Sequence, residues 1–572
     1  MNQSIKKNRQ IAAASAAGKT RKSRSILLAS VACISASALW PVAVQAITAL
    51  PDGAGVAVAQ VEANLIQGSA AATNDQFEVQ SSNSSTISAA PFTYMDFNGY
   101  ISSSAGYSYS ITSGGTTTAY SDSVSSHADT VAGYFYGSSG YGTGVSSVAN
   151  IDAGVFQGYF LGIPGATSTA PAFNVQHTTY VSPAQNGSQT INLANVKVIN
   201  QSYTDQTSNK NSISDASYNT WIAAVNAAYD NYTNNNGTIF VSAVGDGSAT
   251  YTTTPSQINP PATAYNSIAV GAYSYSSTAT GLGPTNDGRS KPDIVAHGSY
   301  TSYSTPIVSG AAAAMVQAGT SADGYSSSDG LTQAAYSQAA TDERTVKALL
   351  LNGAVKPSGW TNNYTGTNDS YTYLAPTANA TTPLDPRYGA GIVNLANSYA
   401  NLLAGRTAAS TTPIAQKEGW DFSSISSGTT NTAIYTFDLS SASQAYDLTS
   451  TLVWNAQVQS LVTIEPTVTY ITYNETLNNL DLMLYNSADT LVASSASTVD
   501  NVQQIFSLNL TPGTYHLEVV DKGGGASWAS NTDSYALAYN FQAVPEPAAL
   551  LILMLGLAAM PLLRRKNLSA SV

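Results

Sequence analysis

Between residues 51 and 405 the chain alternates short apolar runs with segments whose apolar residues recur at helical spacing. Pro51–Asn64, Ala194–Asn200, Gly237–Gly247, Ser267–Ala272 and Lys291–Ala296 each hold a Val/Ile/Ala stretch bounded by turn residues. Continuous short runs of this kind suit strands buried on both faces. Ser214–Tyr232 instead spaces Trp221, Ala224, Val225, Ala228 and Tyr229 as a helix does, and Thr345–Leu351 repeats that period. A further helix is predicted from Ser302 through the small residues up to Met315, with Pro306 in its first turn. Tyr388–Asn394 leads into a last helix ending near Ala404. Strand, helix and strand in repetition predict a parallel sheet with helices on both faces. Residues 65–125 are rich in Ser, Thr and Tyr without helical period, and are read as an inserted loop region with short hairpins. From Pro413 the helical period disappears. Ala433–Phe437, Thr451–Trp454, Leu480–Leu484, Thr490–Val492 and Gly513–Val519 are β-rich runs separated by turns, the pattern of an all-β sandwich or jelly roll. The expected organisation is an α/β domain over 47–410 and a β domain over 411–541.

Composition changes the picture at the two ends. Lys6, Lys7, Arg9, Lys19, Arg21, Lys22 and Arg24 precede the apolar run Ile26–Val44 and the small-residue site Val44-Gln45-Ala46, as in a secretory signal peptide over 1–46. At the other end Val544-Pro545-Glu546-Pro547 is followed by the apolar run Ala548–Leu563 and by Arg564-Arg565-Lys566. That order resembles the PEP-CTERM sorting tail of exported Gram-negative proteins, here residues 542–572. The resemblance implies a short transmembrane helix, a transient inner-membrane anchor and removal by an exosortase-type processing enzyme. The destination would then be the cell surface, the extracellular matrix or the medium.

Charge excludes one class of partner. The chain carries 21 basic and 33 acidic residues, and only 9% of it is charged. Seven basic residues lie in the leader and three near the end of the tail, so residues 47–547 hold 11 basic against 33 acidic residues, a net of −22. Such a surface repels nucleic acid. The one cysteine, Cys33, sits in the leader, so the exported segment has no disulfide and no thiol chemistry.

Three residues stand where chemistry is plausible. Glu62 ends a buried strand, and strand ends are where open α/β sheets place functional groups. His127, one of four histidines, opens the stretch His127-Ala-Asp-Thr-Val-Ala-Gly133. Ser302 lies at the N-terminus of a buried helix, whose free N–H groups favour negative charge. Each alone also suits a structural role: a solvated strand end, a packed imidazole, a helix cap.

Taken in order, these stretches resemble the subtilisin family of serine proteases. Gly53-Ala-Gly-Val-Ala-Val-Ala-Gln-Val-Glu62 is similar to the family's acid-bearing first strand, and His127–Gly133 to its His-Gly-Thr-His-Val-Ala-Gly. Val241-Ser-Ala-Val-Gly-Asp246-Gly resembles the strand carrying the oxyanion-hole asparagine. Lys291-Pro-Asp-Ile-Val-Ala-His-Gly298 with Thr301-Ser302-Tyr-Ser-Thr-Pro306 resembles the segment around its nucleophile. The resemblance implies Ser302 as nucleophile, His127 as general base and Glu62 as the acid that holds the imidazole. It implies Asp246 and the Ser302 N–H at the oxyanion, and Val198, Asn200, Ser202 and Tyr203 as a cleft wall pairing with an extended peptide. No cofactor is then required for catalysis, and the substrates are proteins or peptides.

Four departures bear on that reading. The acid is glutamate rather than aspartate, and Asp96 in Tyr94-Met95-Asp96-Phe97 is an alternative. Asp246 replaces the family's asparagine. An ionised carboxylate repels an oxyanion, whereas a protonated one donates to it. Tyr300 replaces the glycine before Thr-Ser, and no pro-domain is recognisable between Ala46 and Gly53. The alternative function is a catalytically weak surface or matrix protein that binds peptides or glycans. The β domain is similar to the β-barrel domain that follows some secreted subtilisins, which implies Asp481 and Asp500 as oxygen ligands for a structural calcium.

Overall fold

The computed structural model describes residues 49–62, 74–80, 90–96, 101–106, 108–113, 115–152, 180–181, 190–191, 193–204, 215–246, 258–274, 280–365, 371–426, 431–440, 444–464, 469–524 and 532–544. The leader and the sorting tail fall outside them.

Among the described residues eight strands form the central sheet. They are β1 (Ala57–Glu62), β2 (Phe92–Asp96), β3 (Ile101–Ser102), β4 (Ser147–Asp152), β5 (Val198–Gln201), β6 (Ile239–Ala243), β7 (Ile268–Tyr273) and β8 (Ile294–His297). Their order is β8-β7-β6-β5-β1-β4-β2-β3. All pair in parallel except β3, which runs antiparallel to β2 at the edge. Among the described residues six helices accompany them: α1 (Ser126–Phe135), α2 (Asp215–Asn236), α3 (Thr301–Thr320), α4 (Gln333–Ala340), α5 (Glu343–Asn352) and α6 (Leu395–Leu403).

Side chains on a strand alternate between faces, so each strand feeds two cores. Val58, Val198, Val241, Val270 and Ile294 join Ala128, Val308 and Ala311–Ala314 of α1 and α3 on one face. Ala59, Val61, Ile199 and Phe240 join Val225, Ala228 and Tyr229 of α2 on the other. This explains the unbroken apolar runs. The small residues of α3 have a second use: a Cβ on Gly310 would lie 2.7 Å from the Phe135 carbonyl, so glycine lets α3 approach the end of α1.

The inserted-loop reading of 65–125 is corrected by β2. Phe92–Asp96 belongs to the central sheet, pairing with β4 from Phe92↔Val148 to Asp96↔Asp152. Among the other described residues of that region, Asn74–Glu78, Ser108–Ser113 and Thr116–Val124 form a separate three-stranded sheet.

The C-terminal region is a two-sheet β structure. A four-stranded sheet orders 418–426, 532–543, 446–454 and 502–510, and a six-stranded sheet runs from Asn379–Ala380 at one edge to Ser410–Ile414 at the other. Asn379–Ala380 therefore lies before the expected boundary at 411 yet pairs with Leu491–Ser495. The core between the sheets holds Trp454, Tyr435, Leu482, Leu517 and Tyr539. Asp500 joins the two regions: its carboxylate accepts from the Ser290 N–H at 2.6 Å. No helix among the described residues is long and apolar enough to cross a membrane.

Candidate active site

Glu62 ends β1 and is only 2% exposed. Val58, Gln60 and Glu62 alternate onto the face that carries α1 and α3. Ser125 caps α1, its hydroxyl accepting from the N–H groups of His127 and Ala128. Ala128, Val131, Ala132 and Phe135 bury one side of the helix, which fixes its rotation and turns His127 toward the strand ends. The result is a contact of 3.1 Å between His127 Nδ1 and Glu62 Oε2. With Nδ1 donating to the carboxylate, Nε2 is the nitrogen left to take a proton from elsewhere. Burial pulls the imidazole down, yet the hydrogen bond and charge of Glu62, with the charge of Asp246, hold it above the ordinary histidine value.

The alternative acid, Asp96, lies on a different strand. It ends β2, and β4 lies between β2 and β1. Two strand spacings put its backbone roughly 10 Å from that of Glu62.

Ser302 is the second residue of α3, a position whose N–H has no acceptor within the helix. The cap residue Tyr300 is extended and makes no side-chain cap bond. Asp246 supplies that bond from β6's far end: its Oδ1 accepts from the Thr301 N–H at 2.8 Å and from the Thr301 hydroxyl at 2.9 Å. A carboxylate at a helix N-terminus also meets the positive end of the dipole. Asp246 thus stands beside the serine, and its charge reaches both His127 and Tyr303. The helix starts at Thr301, so Pro306 is in the second turn, not the first, and leaves the Ser302 carbonyl without its helical donor.

Tyr303 connects the serine to the histidine. Its ring lies 6.0 Å from that of His127 and 6.0 Å from that of Tyr134, and Tyr300 meets it edge-on at 5.6 Å. Tyr300 is 48% exposed, an uncovered aromatic at the rim.

The cleft-wall expectation is corrected for Val198 and Asn200. β5 is hydrogen-bonded to β1 on one side and β6 on the other, so neither residue has a free backbone edge for a peptide. Asn200 is wholly buried and its side-chain oxygen accepts from Ser309 of α3. Only Ser202 and Tyr203 lie beyond the end of that ladder.

The surroundings of Asp481 and Asp500 do not suit a structural calcium. Asp500 already accepts from Ser290 N–H, Ser290 Oγ and Ser497 Oγ, and burial pushes it up to about 6. Asp481 faces the Lys522 ammonium at 3.7 Å. Among the described residues no three His, Cys, Asp or Glu side chains gather as a metal site would require.

Sequence reasoning overlooked Gln60. Its amide nitrogen donates to Glu62 Oε1 at 2.7 Å and to the Ala128 carbonyl at 3.0 Å, while its oxygen accepts from Tyr136 Oη at 2.6 Å. The available signal was a lone amide inside an apolar strand, since a buried polar side chain needs partners.

A parallel α/β sheet with an acid–histidine pair at its strand ends and a serine at a neighbouring helix N-terminus defines the class of serine hydrolases. The sequence model of the Subtilase family matches residues 93–391, and the chain belongs to that family. The match contains His127, Asp246 and Ser302 but begins beyond Glu62. The PEP-CTERM protein-sorting motif matches residues 543–567. The subtilase domain points to a serine protease, and the sorting motif to export with membrane-associated sorting. No curated protein matches the chain. One similar solved structure is described as the periplasmic assembly from the ESX-5 inner membrane complex. It is 16% identical, with 61% of this chain and 80% of that one covered, and at a TM-score of 0.25 it carries no argument.

Proposed function

We propose that the protein is an exported endopeptidase that hydrolyses peptide bonds through Glu62, His127 and Ser302. The observation that supports this most is the 3.1 Å pairing of Glu62 with His127, on a helix packed against the one that carries Ser302 in its first turn. His127 Nε2 takes the Ser302 proton as the hydroxyl oxygen attacks the scissile carbonyl carbon, and Glu62 stabilises the imidazolium. The same proton passes to the leaving amine. Water then repeats the sequence on the acyl-enzyme and releases the acid. The Ser302 N–H faces the developing oxyanion, and the second oxygen of Asp246 meets it as a donor only when protonated. Protein or peptide substrates enter beside Ser202 and Tyr203. An exosortase-type enzyme processes the tail after export through the leader, and releases the protein to the surface, matrix or medium.

The test is hydrolysis of an unstructured protein by the exported protein and by Ser302→Ala. Turnover lost in the variant supports the reading, and equal turnover in both refutes it. Asp246 favours a second reading, a weakly catalytic binding protein of the surface or matrix, because a carboxylate stands where the family has an amide. Peptide binding without turnover at any pH would support that reading instead.

A further inference from the structure

Glu62 reaches one methylene further than the aspartate of related enzymes, so a longer and more mobile carboxylate must be held still. We propose that Gln60, itself locked by Tyr136, is a positioning residue that fixes Glu62 on His127; this rests on the triad reading above. Gln60 and Glu62 are two residues apart on β1 and share a face. The Gln60 amide has its orientation decided by its partners. Glu62 Oε1 and the Ala128 carbonyl can only accept, at 2.7 and 3.0 Å, so the nitrogen must face them. The amide oxygen then points at Tyr136, whose hydroxyl donates at 2.6 Å. Gln60 and Tyr136 are wholly buried, so water does not compete for these bonds. Burial together with the nearby Glu62 charge keeps the Tyr136 phenol protonated as a donor.

The chain of donors runs one way, from Tyr136 to Gln60 to Glu62. It occupies Oε1 and leaves Oε2 for His127. The second Gln60 bond ends on the carbonyl of the residue after His127, so one side chain ties both members of the pair to one frame.

The test compares Gln60→Leu, Tyr136→Phe, Glu62→Gln and the Gln60→Leu/Glu62→Gln pair with the unaltered exported protein. Two quantities are read: the rate at which a fluorophosphonate labels Ser302, and the His127 titration midpoint by NMR. Gln60→Leu is expected to slow labelling about 10- to 100-fold, the scale of a misplaced catalytic group. It should also lower the His127 midpoint, because Glu62 is freed to leave it. Tyr136→Phe, which removes one hydroxyl and keeps the ring, moves both readouts the same way by less. The double variant labels no more slowly than Glu62→Gln alone, since Gln60 acts only through that carboxylate. Multiplying rate losses, or a His127 midpoint that stays in place in both Gln60→Leu and Tyr136→Phe, overturn the proposal. Should the unaltered protein not label at all, the triad reading fails, and the His127 midpoint alone decides the role of Gln60.

Discussion

Glu62 and His127 come from elements 65 residues apart in sequence, yet Oε2 of one lies 3.1 Å from Nδ1 of the other. The contact exists because β1 delivers the carboxylate at its carboxyl end while the Ser125 cap starts α1 directly before the imidazole.

That contact separates two candidate acids. Glu62→Gln is expected to lower turnover by about a thousandfold or more, as loss of the orienting acid does in such triads. The glutamine also removes the charge that raises His127, so the acid limb of the pH–rate profile moves to lower pH. Asp96→Asn leaves both readouts within about twofold, because its strand is separated from β1 by β4. The kinetics of the two variants across pH check this.

Asp246 holds the α3 N-terminus through Thr301, a role an asparagine oxygen can keep while its nitrogen donates. Asp246→Asn should therefore raise turnover at neutral pH, by about 100-fold if it supplies a missing oxyanion donor. Equal turnover of the two proteins at neutral pH would contradict the role given to Asp246.

Much of this architecture was readable in advance, and the failures have physical reasons. β5, β6, β7 and β8 are short apolar runs because both their faces are covered. β2 is also in the sheet, but Phe-Thr-Tyr-Met-Asp sits near the sheet edge within a Ser/Thr-rich region, so its pattern resembled a loop. Glu62, His127 and Ser302 were singled out through motif order, and the structure brings the first two within 3.1 Å. Gln60 and Tyr136 were not, because their value lies in hydrogen bonds that link residues 76 positions apart. Val198 and Asn200 were misplaced for the converse reason: a resemblance located the segment, while the ladder already uses its backbone.

The Tyr303 ring lies 6.0 Å from that of His127, which in the proposed mechanism protonates the leaving amine. Tyr303→Ala is expected to cut kcat/KM roughly 10-fold for peptides with a large apolar residue after the scissile bond. Peptides with glycine there should change little. A peptide series varied at that one position measures the difference.

Asp500 makes stability fall as pH rises. Burial lifts its carboxyl from the ordinary 3.8 to about 6, so the folded state favours the protonated form. Its contribution is fully present below the unfolded value and is lost as pH passes through about 6. A shift of about two pH units corresponds to roughly 3 kcal/mol. Asp500→Asn keeps an acceptor for the Ser290 N–H but cannot ionise, so chemical denaturation at pH 4 and pH 8 should show a smaller difference than in the native protein.

The central claim is that Ser302 is an activated nucleophile, and covalent labelling measures it most directly. The exported protein, freed of its leader and sorting tail, is treated with a fluorophosphonate probe beside Ser302→Ala and His127→Ala. Labelling of the native protein alone, with the adduct mapped to Ser302, is the expected result. An unlabelled native protein, or a Ser302→Ala variant that labels equally well, would contradict it.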